Sequence, residues 1–313
     1  MDPCDVLDQY RLLERISSND VGAAWKAVDT ESGQTVVLKI PSTSAESDLV
    51  FFERFRREEA LGQRLDHQNI VKVLRPRAKS REYIAMELAP GRTLRALLEP
   101  GRAWETGRAL DLVRQLCEAV AYLHERGVVH RDLKPENIVV DEQGGIKIID
   151  LGIALDRSAR RITWGRLSHR VGTPDYMAPE QIAGRRGDAR SDVYAIATIL
   201  FELLTGHLPF VADGALAMMH AKAHEEGKRP SYFRPDIDRG LEAVLVRALH
   251  RRPADRQGSV AELIADLRDP AHALAREANG GASLSAPGPQ RAVIVVGVVV
   301  LFALSSLIWL STR

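Results

Sequence analysis

Hydrophobic and polar positions alternate in three short segments near the N-terminus. Tyr10–Ile16, Ala23–Asp29 and Gln34–Ile40 each carry a strand-like pattern. Turn-forming runs, Ser17 to Asp20 and Glu31 to Gly33, separate them. The period then changes: Leu49 to Leu65 places Phe52, Phe55 and Leu61 among charged residues, which predicts an amphipathic helix. Val71–Leu74 and Tyr83–Leu88 return to a strand pattern. Past Pro90 and Gly91 the pattern is helical. Thr106 is the expected N-cap of a helix reaching about Arg126, with Leu112, Val113, Leu116, Val120 and Leu123 on its apolar face. Ser191 to Leu204 reads as a more apolar helix stopped by Gly206, and Leu241–His250 and Ser259–Leu267 as two more. The expectation is an α+β chain in two lobes, β-rich first and helical second, with a ligand site at their seam.

The last apolar stretch is different in kind. Residues 292–310 contain no charge and have about the length an α-helix needs to cross a bilayer core. A Gly-, Ala-, Ser- and Pro-rich run, Asn279 to Gln290, precedes it and reads as flexible linker. The reading is one membrane-spanning helix. Trp309 falls where an interfacial aromatic would anchor it.

Composition narrows the classes. A formal net charge of +1 over 313 residues leaves no electrostatic footprint for nucleic acid. The two cysteines, Cys4 and Cys117, form neither a metal spacing nor a disulfide framework. Met1 to Tyr10 is polar and acidic, unlike a signal peptide. His220 and His224 stand one helical turn apart with no third ligand in view, so a solvated helix face is expected there.

Chemistry concentrates in the run His130 to Asn137, HRDLKPEN. Phosphoryl transfer needs a carboxylate to orient or deprotonate the attacking hydroxyl, a cation near the moving phosphate, and oxygen ligands for a divalent ion. Asp132, Lys134 and Asn137 supply one of each in one loop. A strand, Ile146 to Ile149, then delivers a second carboxylate at Asp150, followed by Leu151 and Gly152. About thirty residues on comes Gly172 to Glu180, GTPDYMAPE. His130 is read as a packing residue beneath the D-x-G turn.

In order and spacing these motifs resemble the eukaryotic-type serine/threonine protein kinases, and most closely the bacterial, membrane-anchored members. The resemblance covers about Tyr10 to Arg268. It implies a bilobal kinase fold: a tail at 1–9, an N-lobe at 10–86, a hinge at 87–91 and a C-lobe at 92–268. A juxtamembrane linker at 269–291, the membrane helix at 292–310 and an extracytoplasmic tail at 311–313 would follow. The implied roles are Asp132 as base, Lys134 beside it, and Lys39 on the α- and β-phosphates with Glu58 as its helix partner. Glu59 is the alternative to Glu58, disfavoured by its distance from His67. Asn137 and Asp150 would hold Mg²⁺ or Mn²⁺. ATP would lie against Ile16, Gly22, Ala24, Val37, Lys39, Met86 (the gatekeeper), Glu87, Leu88, Ala89 and Val139. Asp192 would brace the catalytic loop, Glu180 and Arg256 would form an ion pair, and Thr173 would bond Asp132 and Lys134. Lys134 and Thr173 together favour serine or threonine as acceptor over tyrosine.

Arg131, directly before the base, implies control by a phosphate in the following segment. Thr163 and Ser168 are the candidates for autophosphorylation, among Arg157, Arg160, Arg161, Arg166 and Arg170. The pattern departs at the glycine-rich loop. Ser17 and Asn19 stand where the first two glycines belong, and Gly22 survives alone. Val37 replaces an alanine and Leu151 a phenylalanine. A second reading therefore stays open: a catalytically weak pseudokinase serving as a membrane-bound, nucleotide-binding scaffold. The expected partners are protein substrates, ATP and membrane lipid through the C-terminal helix, with a homodimer or a membrane partner left open. Because ATP is cytosolic, the resemblance implies a tail-anchored, single-pass protein of the cell membrane with its kinase domain in the cytoplasm. Signals would then come from a membrane partner, lipid, cytosolic regulators or local crowding.

Overall fold

The computed structural model describes residues 2, 4–46, 48–151, 155–156 and 174–280. The expectations for Gly152, Thr163, Ser168, Thr173, residues 281–291 and the 292–310 span lie outside the described residues. Among those described, no helix is long and apolar enough to cross a membrane.

Five antiparallel strands make the first lobe, in spatial order β1 (Val6–Leu7), β2 (Tyr10–Asn19), β3 (Gly22–Asp29), β4 (Thr35–Pro41) and β5 (Ile84–Glu87). The period-2 pattern of β4 separates its faces. Val36, Leu38 and Ile40 join Tyr10, Leu12, Trp25 and Tyr83 in one cluster. Val37 packs on the other side, with Phe55, Val73, Ile84 and Met86. α1 (Thr43–Glu46) and α2 (Leu49–Gly62) follow β4. Asp48 caps α2 by accepting from Val50 N and Phe51 N. The helix ends at Gly62, three residues short of the sequence expectation, where a Cβ would collide with the Val73 side chain. Val71–Leu74 is not a full strand. It touches its neighbours through isolated bridges, Ile70 to Ile148 and Val73 to Met86.

The second lobe begins with β6 (Arg92–Thr93), α3 (Leu94–Leu97), α4 (Thr106–Glu125), β7 (Val128–Val129), β8 (Ile138–Val140), β9 (Ile146–Ile148) and β10 (Leu155–Asp156). It continues with α5 (Pro179–Ile182), α6 (Ala189–Thr205), α7 (Ala215–His224), α8 (Pro230–Phe233), α9 (Arg239–Ala248), α10 (Val260–Arg268) and α11 (Pro270–Gly280). Thr106 is the first residue of α4 and not its cap. Glu105 caps instead, because its two carboxylate oxygens take both Gly107 N (2.8 Å) and Arg108 N (2.7 Å). From Ser191 to Thr205, α6 is buried on every side, as a helix apolar all round must be. It closes at Gly206, whose φ of 72° is left-handed, and where a Cβ would strike the Gly101–Arg102 backbone. α4 and α6 carry one continuous core with Leu133, Ile138, Ile148, Val244 and Leu263. The segment 130–137 thus rests on this core through Leu133.

Candidate active site

Residues 130–137 run between β7 and β8, with Pro135–Asn137 forming a 3-10 turn. Arg131 has a φ of 68°, a conformation that a residue with a Cβ holds only under constraint. The constraint is Asp192 at the start of α6, fully buried. Its Oδ1 accepts from Arg131 N at 2.7 Å, and its Oδ2 accepts from His130 N at 2.9 Å. Oδ2 also meets His124 Nε2 at 2.7 Å. Asp192 thus bonds the main chain of the loop at two successive amides. His124, in the last turn of α4, is a partner that sequence reasoning missed, since periodicity shows a lone histidine on a helix as one more amphipathic position. Gln181 was missed as well; its Nε2 donates to Arg131 O at 2.9 Å. His130 is buried, as expected of a packing residue, and its Nδ1 accepts from Asp132 N at 3.3 Å.

Asp132 is half-buried and holds two donors on one oxygen. Lys134 Nζ lies 2.8 Å and Asn137 Nδ2 3.2 Å from Oδ2, and Asn137 Nδ2 also reaches Asp132 O at 2.9 Å. With its amide nitrogen committed in this way, Asn137 keeps its carbonyl oxygen for another ligand.

Across the cleft, the β3–β4 register sets Lys39 opposite Ala24, and the β4–β5 register sets it opposite Ile84. Lys39 lies on the sheet face that meets α2. Its ammonium is 2.7 Å from Glu58 Oε1 and 3.0 Å from Asp150 Oδ1. Burial opposes the Lys39 charge, but Glu58 and Asp150 outweigh it and hold the amine far above the ordinary lysine range. Burial pushes the Glu58 carboxyl up, against the pull of Lys39. The choice between Glu58 and Glu59 is settled by direction on the helix: Glu59 faces away and pairs with Lys79. Asp150 and the amide oxygen of Asn137 are hard oxygen donors of the kind Mg²⁺ takes. Among the described residues no cluster of three His, Cys, Asp or Glu side chains forms a metal site. A cation here would therefore need further ligands, such as phosphate oxygens or water.

The expected nucleotide-facing residues gather on these same strands. Val37 pairs with Met86 across β4 and β5, and Val139 is buried on β8. Glu87 commits its carboxylate to Lys147 (2.7 Å) and Lys72 N (3.0 Å), and its own N–H donates to Lys72 O at 3.0 Å, so Glu87 is tied to its neighbours on both counts. Ile16 is half exposed on β2. The glycine-poor loop does not turn at Ser17–Asp20 as expected. The ladder continues to the pair Asn19–Gly22, and Asp20 and Val21 make a two-residue turn. Asn19 closes that turn, its Oδ1 accepting from Val21 N (2.9 Å) and Gly22 N (3.1 Å). Ser42 ties it from the far side, N to Val21 O and Oγ to Asp20 O, both at 2.8 Å. Gly22 is required by packing as much as by any ligand, because a Cβ there would run into the Ile40 carbonyl.

Far below the cleft, Arg256 and Glu180 form the anticipated pair, buried and bidentate at 2.8 and 2.9 Å. The histidines of α7, His220 and His224, lie with ring centres 4.7 Å apart and planes tilted by 41°, and no group of three metal-ligating side chains forms among the described residues.

Residues 10–266 match the model of the protein kinase domain family. A probable serine/threonine-protein kinase of Corynebacterium efficiens is 36% identical over 273 residues, 84% of this chain and 41% of that protein. The serine/threonine-protein kinase PknB of Mycobacterium tuberculosis is 32% identical over 272 residues, 85% of this chain and 43% of that protein. The chain thus spans about two-fifths of the length of these relatives. Among solved structures, the Mycobacterium tuberculosis PknI kinase domain superposes with a TM-score of 0.67 at 27% identity, covering 87% of this chain and 99% of that one. The paired carboxylates, the bracketed lysine and this kinship over nearly all the described residues converge: the chain belongs to the protein kinase domain family, alongside bacterial serine/threonine-protein kinases.

Proposed function

We propose that this chain transfers the γ-phosphoryl group of ATP to serine or threonine hydroxyls of proteins, with Asp132 as base. The observation that carries the reading is the joint placement of two charged triads: Lys39 between Glu58 and Asp150, and Asp132 bonded to Lys134 and Asn137. Positioning and charge stabilisation make up most of phosphoryl-transfer catalysis, and both triads are complete. Asp132 spends Oδ2 on its two donors, which fixes the carboxylate plane and aims the other oxygen at an acceptor hydroxyl. Lys134 stands beside the same oxygen, where charge develops on the moving group. Asp150 and Asn137 would hold Mg²⁺ or Mn²⁺, which supplies charge neutralisation between phosphates. The scaffold reading has to explain why a non-catalytic protein would keep both triads, and nothing in their geometry favours it. The test is ³²P incorporation into protein from Mg-ATP: the wild type labels, and Asp132→Asn loses labelling by two orders of magnitude or more. Equal labelling by both, or none by either, would leave the scaffold.

Regulation and location belong to the same proposal. Among the described residues, Nε and Nη1 of Arg131 are buried without a hydrogen-bond partner, and only Nη2 is spent, on Gly187 O at 3.1 Å. Burial and the neighbouring Arg186 hold its pKa below the ordinary arginine range, so an anion beside it would be welcome. Autophosphorylation at Thr163 or Ser168 would supply one. Residues 292–310 would anchor the protein in the cell membrane with the catalytic lobes in the cytoplasm, in contact with lipid and open to a homodimer or a membrane partner. Deleting 292–313 should move the protein from the membrane pellet to the soluble fraction.

A further inference from the structure

Lys222, on α7, is 1% exposed and takes no part in the chemistry above. A buried ammonium is costly unless something holds it. Its Nζ donates to two main-chain carbonyls, Asp175 O and, at 3.0 Å, Met177 O. Both belong to one tight turn, closed by Met177 N on Pro174 O at 3.2 Å. The Tyr194 ring of α6 lies 5.1 Å from Nζ, and the Arg256 guanidinium sits 4.8 Å from the same ring. Lys222 and Arg256 thus both lie against one tyrosine, and Arg256 is already neutralised by Glu180.

The turn 174–177 leads into α5 and neighbours the segment that carries Asp132, through Gln181 of α5 and through Glu136. On one flank the Tyr176 hydroxyl bonds Glu202 and receives Arg95 Nη1 at 3.1 Å. On the other, α5 reaches the catalytic loop through Gln181 and Arg131 O. Glu136, one residue from Asn137, is close enough to raise the pKa of the half-buried Asp175 carboxyl; burial is the larger cause, with Lys222 and Arg95 pulling the other way. The Tyr176 side chain of the turn is held by α3 and α6. Two carbonyls of the turn are held by Lys222.

We propose that Lys222 is a positioning residue for the protein acceptor: its ammonium locks the 174–177 turn to α7 and sets the height at which an acceptor hydroxyl meets Asp132. This rests on the kinase reading above. The groups that face Lys222 are Asp175 from the turn, Tyr194 from α6 and Arg256 from beyond α9, with Glu180 of α5 behind it. Burial, the largest cause, and Arg256 lower the Lys222 pKa, Asp175 opposes, and the result is about 7. The hold is therefore strongest below neutrality, where the amine is charged, and weakens as pH rises through that value.

The experiment uses the full chain in detergent, Mg-ATP, and myelin basic protein as acceptor. Lys222→Met should raise the acceptor KM roughly tenfold, the loss of charge-assisted hydrogen bonds, with the ATP KM within about twofold of wild type. In the wild type, acceptor kcat/KM should fall between pH 6.5 and 8.5 with an inflection near 7. Lys222→Met should lack that inflection, and Lys222→Arg, charged throughout, should lack it too. An unchanged acceptor KM in the methionine variant overturns the proposal, as does a parallel rise in ATP KM. Should the methionine variant not fold, a wild-type-like inflection in the arginine variant overturns it as well. A wild type that labels nothing overturns the kinase reading instead, so the two failures are distinct.

Discussion

Arg256→Met should be the most damaging single substitution outside the cleft. The Arg256 side chain is fully buried and all five of its N–H groups are used. Nη1 donates to Glu180 Oε1 (2.9 Å) and Arg190 O (3.0 Å), Nη2 to Glu180 Oε2 (2.8 Å) and Arg251 O (3.1 Å), and Nε to His250 O (2.7 Å). Methionine fills much of the volume but leaves the Glu180 carboxylate buried with no countercharge, held only by neutral donors such as Ser191 Oγ, and strands three carbonyls. Removing one member of a buried ion pair costs about 3–5 kcal/mol, and stranded carbonyls push toward the upper end. For a domain of this size that is roughly a 10 °C drop in melting temperature, read by thermal denaturation of the full chain. Glu180→Met combined with Arg256→Met should recover part of the loss, because the orphaned carboxylate is then gone. Burial raises the Glu180 pKa, but the hydrogen bonds and charge of Arg256 outweigh it and hold it below the ordinary glutamate range. A depressed carboxyl stabilises the fold above its unfolded pKa and loses that contribution as pH falls through the folded one. The gap between wild type and Arg256→Met should therefore narrow as pH drops below about 4. A shift under about 2 °C near neutral pH, worth less than 1 kcal/mol, would refute the reasoning.

Two other substitutions probe the cleft. Asn19→Ala removes the acceptor that closes the Asp20–Val21 turn; at about 1 kcal/mol per hydrogen bond it should raise the ATP KM roughly threefold to tenfold, measured with acceptor saturating. Glu58→Gln should lower kcat/KM for ATP by about 10- to 100-fold, the worth of a charge-assisted hydrogen bond, whereas Glu59→Gln, which touches Lys79, should leave it within twofold.

Much of the site could be read from the chain because it is local. Asp132, Lys134 and Asn137 fall within six residues, so one short loop brings them together however the rest folds. The strand that carries Lys39 and the capped helix that carries Glu58 were visible in hydrophobic period. Local pattern was less informative where two solutions compete for the same backbone. Thr106 and Glu105 are both able to cap, and the carboxylate prevails because it satisfies two N–H groups at once. Ser17 to Asp20 reads as a turn by composition, yet the β3 partner keeps the ladder going to Asn19.

By itself, then, the sequence determined the catalytic loop, the order of the longer strands and helices as far as α10 and the family to which they belong, because those depend on short-range spacing and on the burial of apolar stripes; α11 instead occupies Pro270–Gly280, where a linker was expected. The tertiary structure alone decided which glutamate reaches Lys39, that His124 and Gln181 support the loop around Asp132, and that Lys222 lies under the 174–177 turn. Each of those contacts joins groups from 19 to 68 residues apart, and such pairings arise from the packing of α2 on the sheet, of α4 on α6 and of α7 on α5. Side-chain direction in three dimensions decides them, and no one-dimensional pattern carries that information.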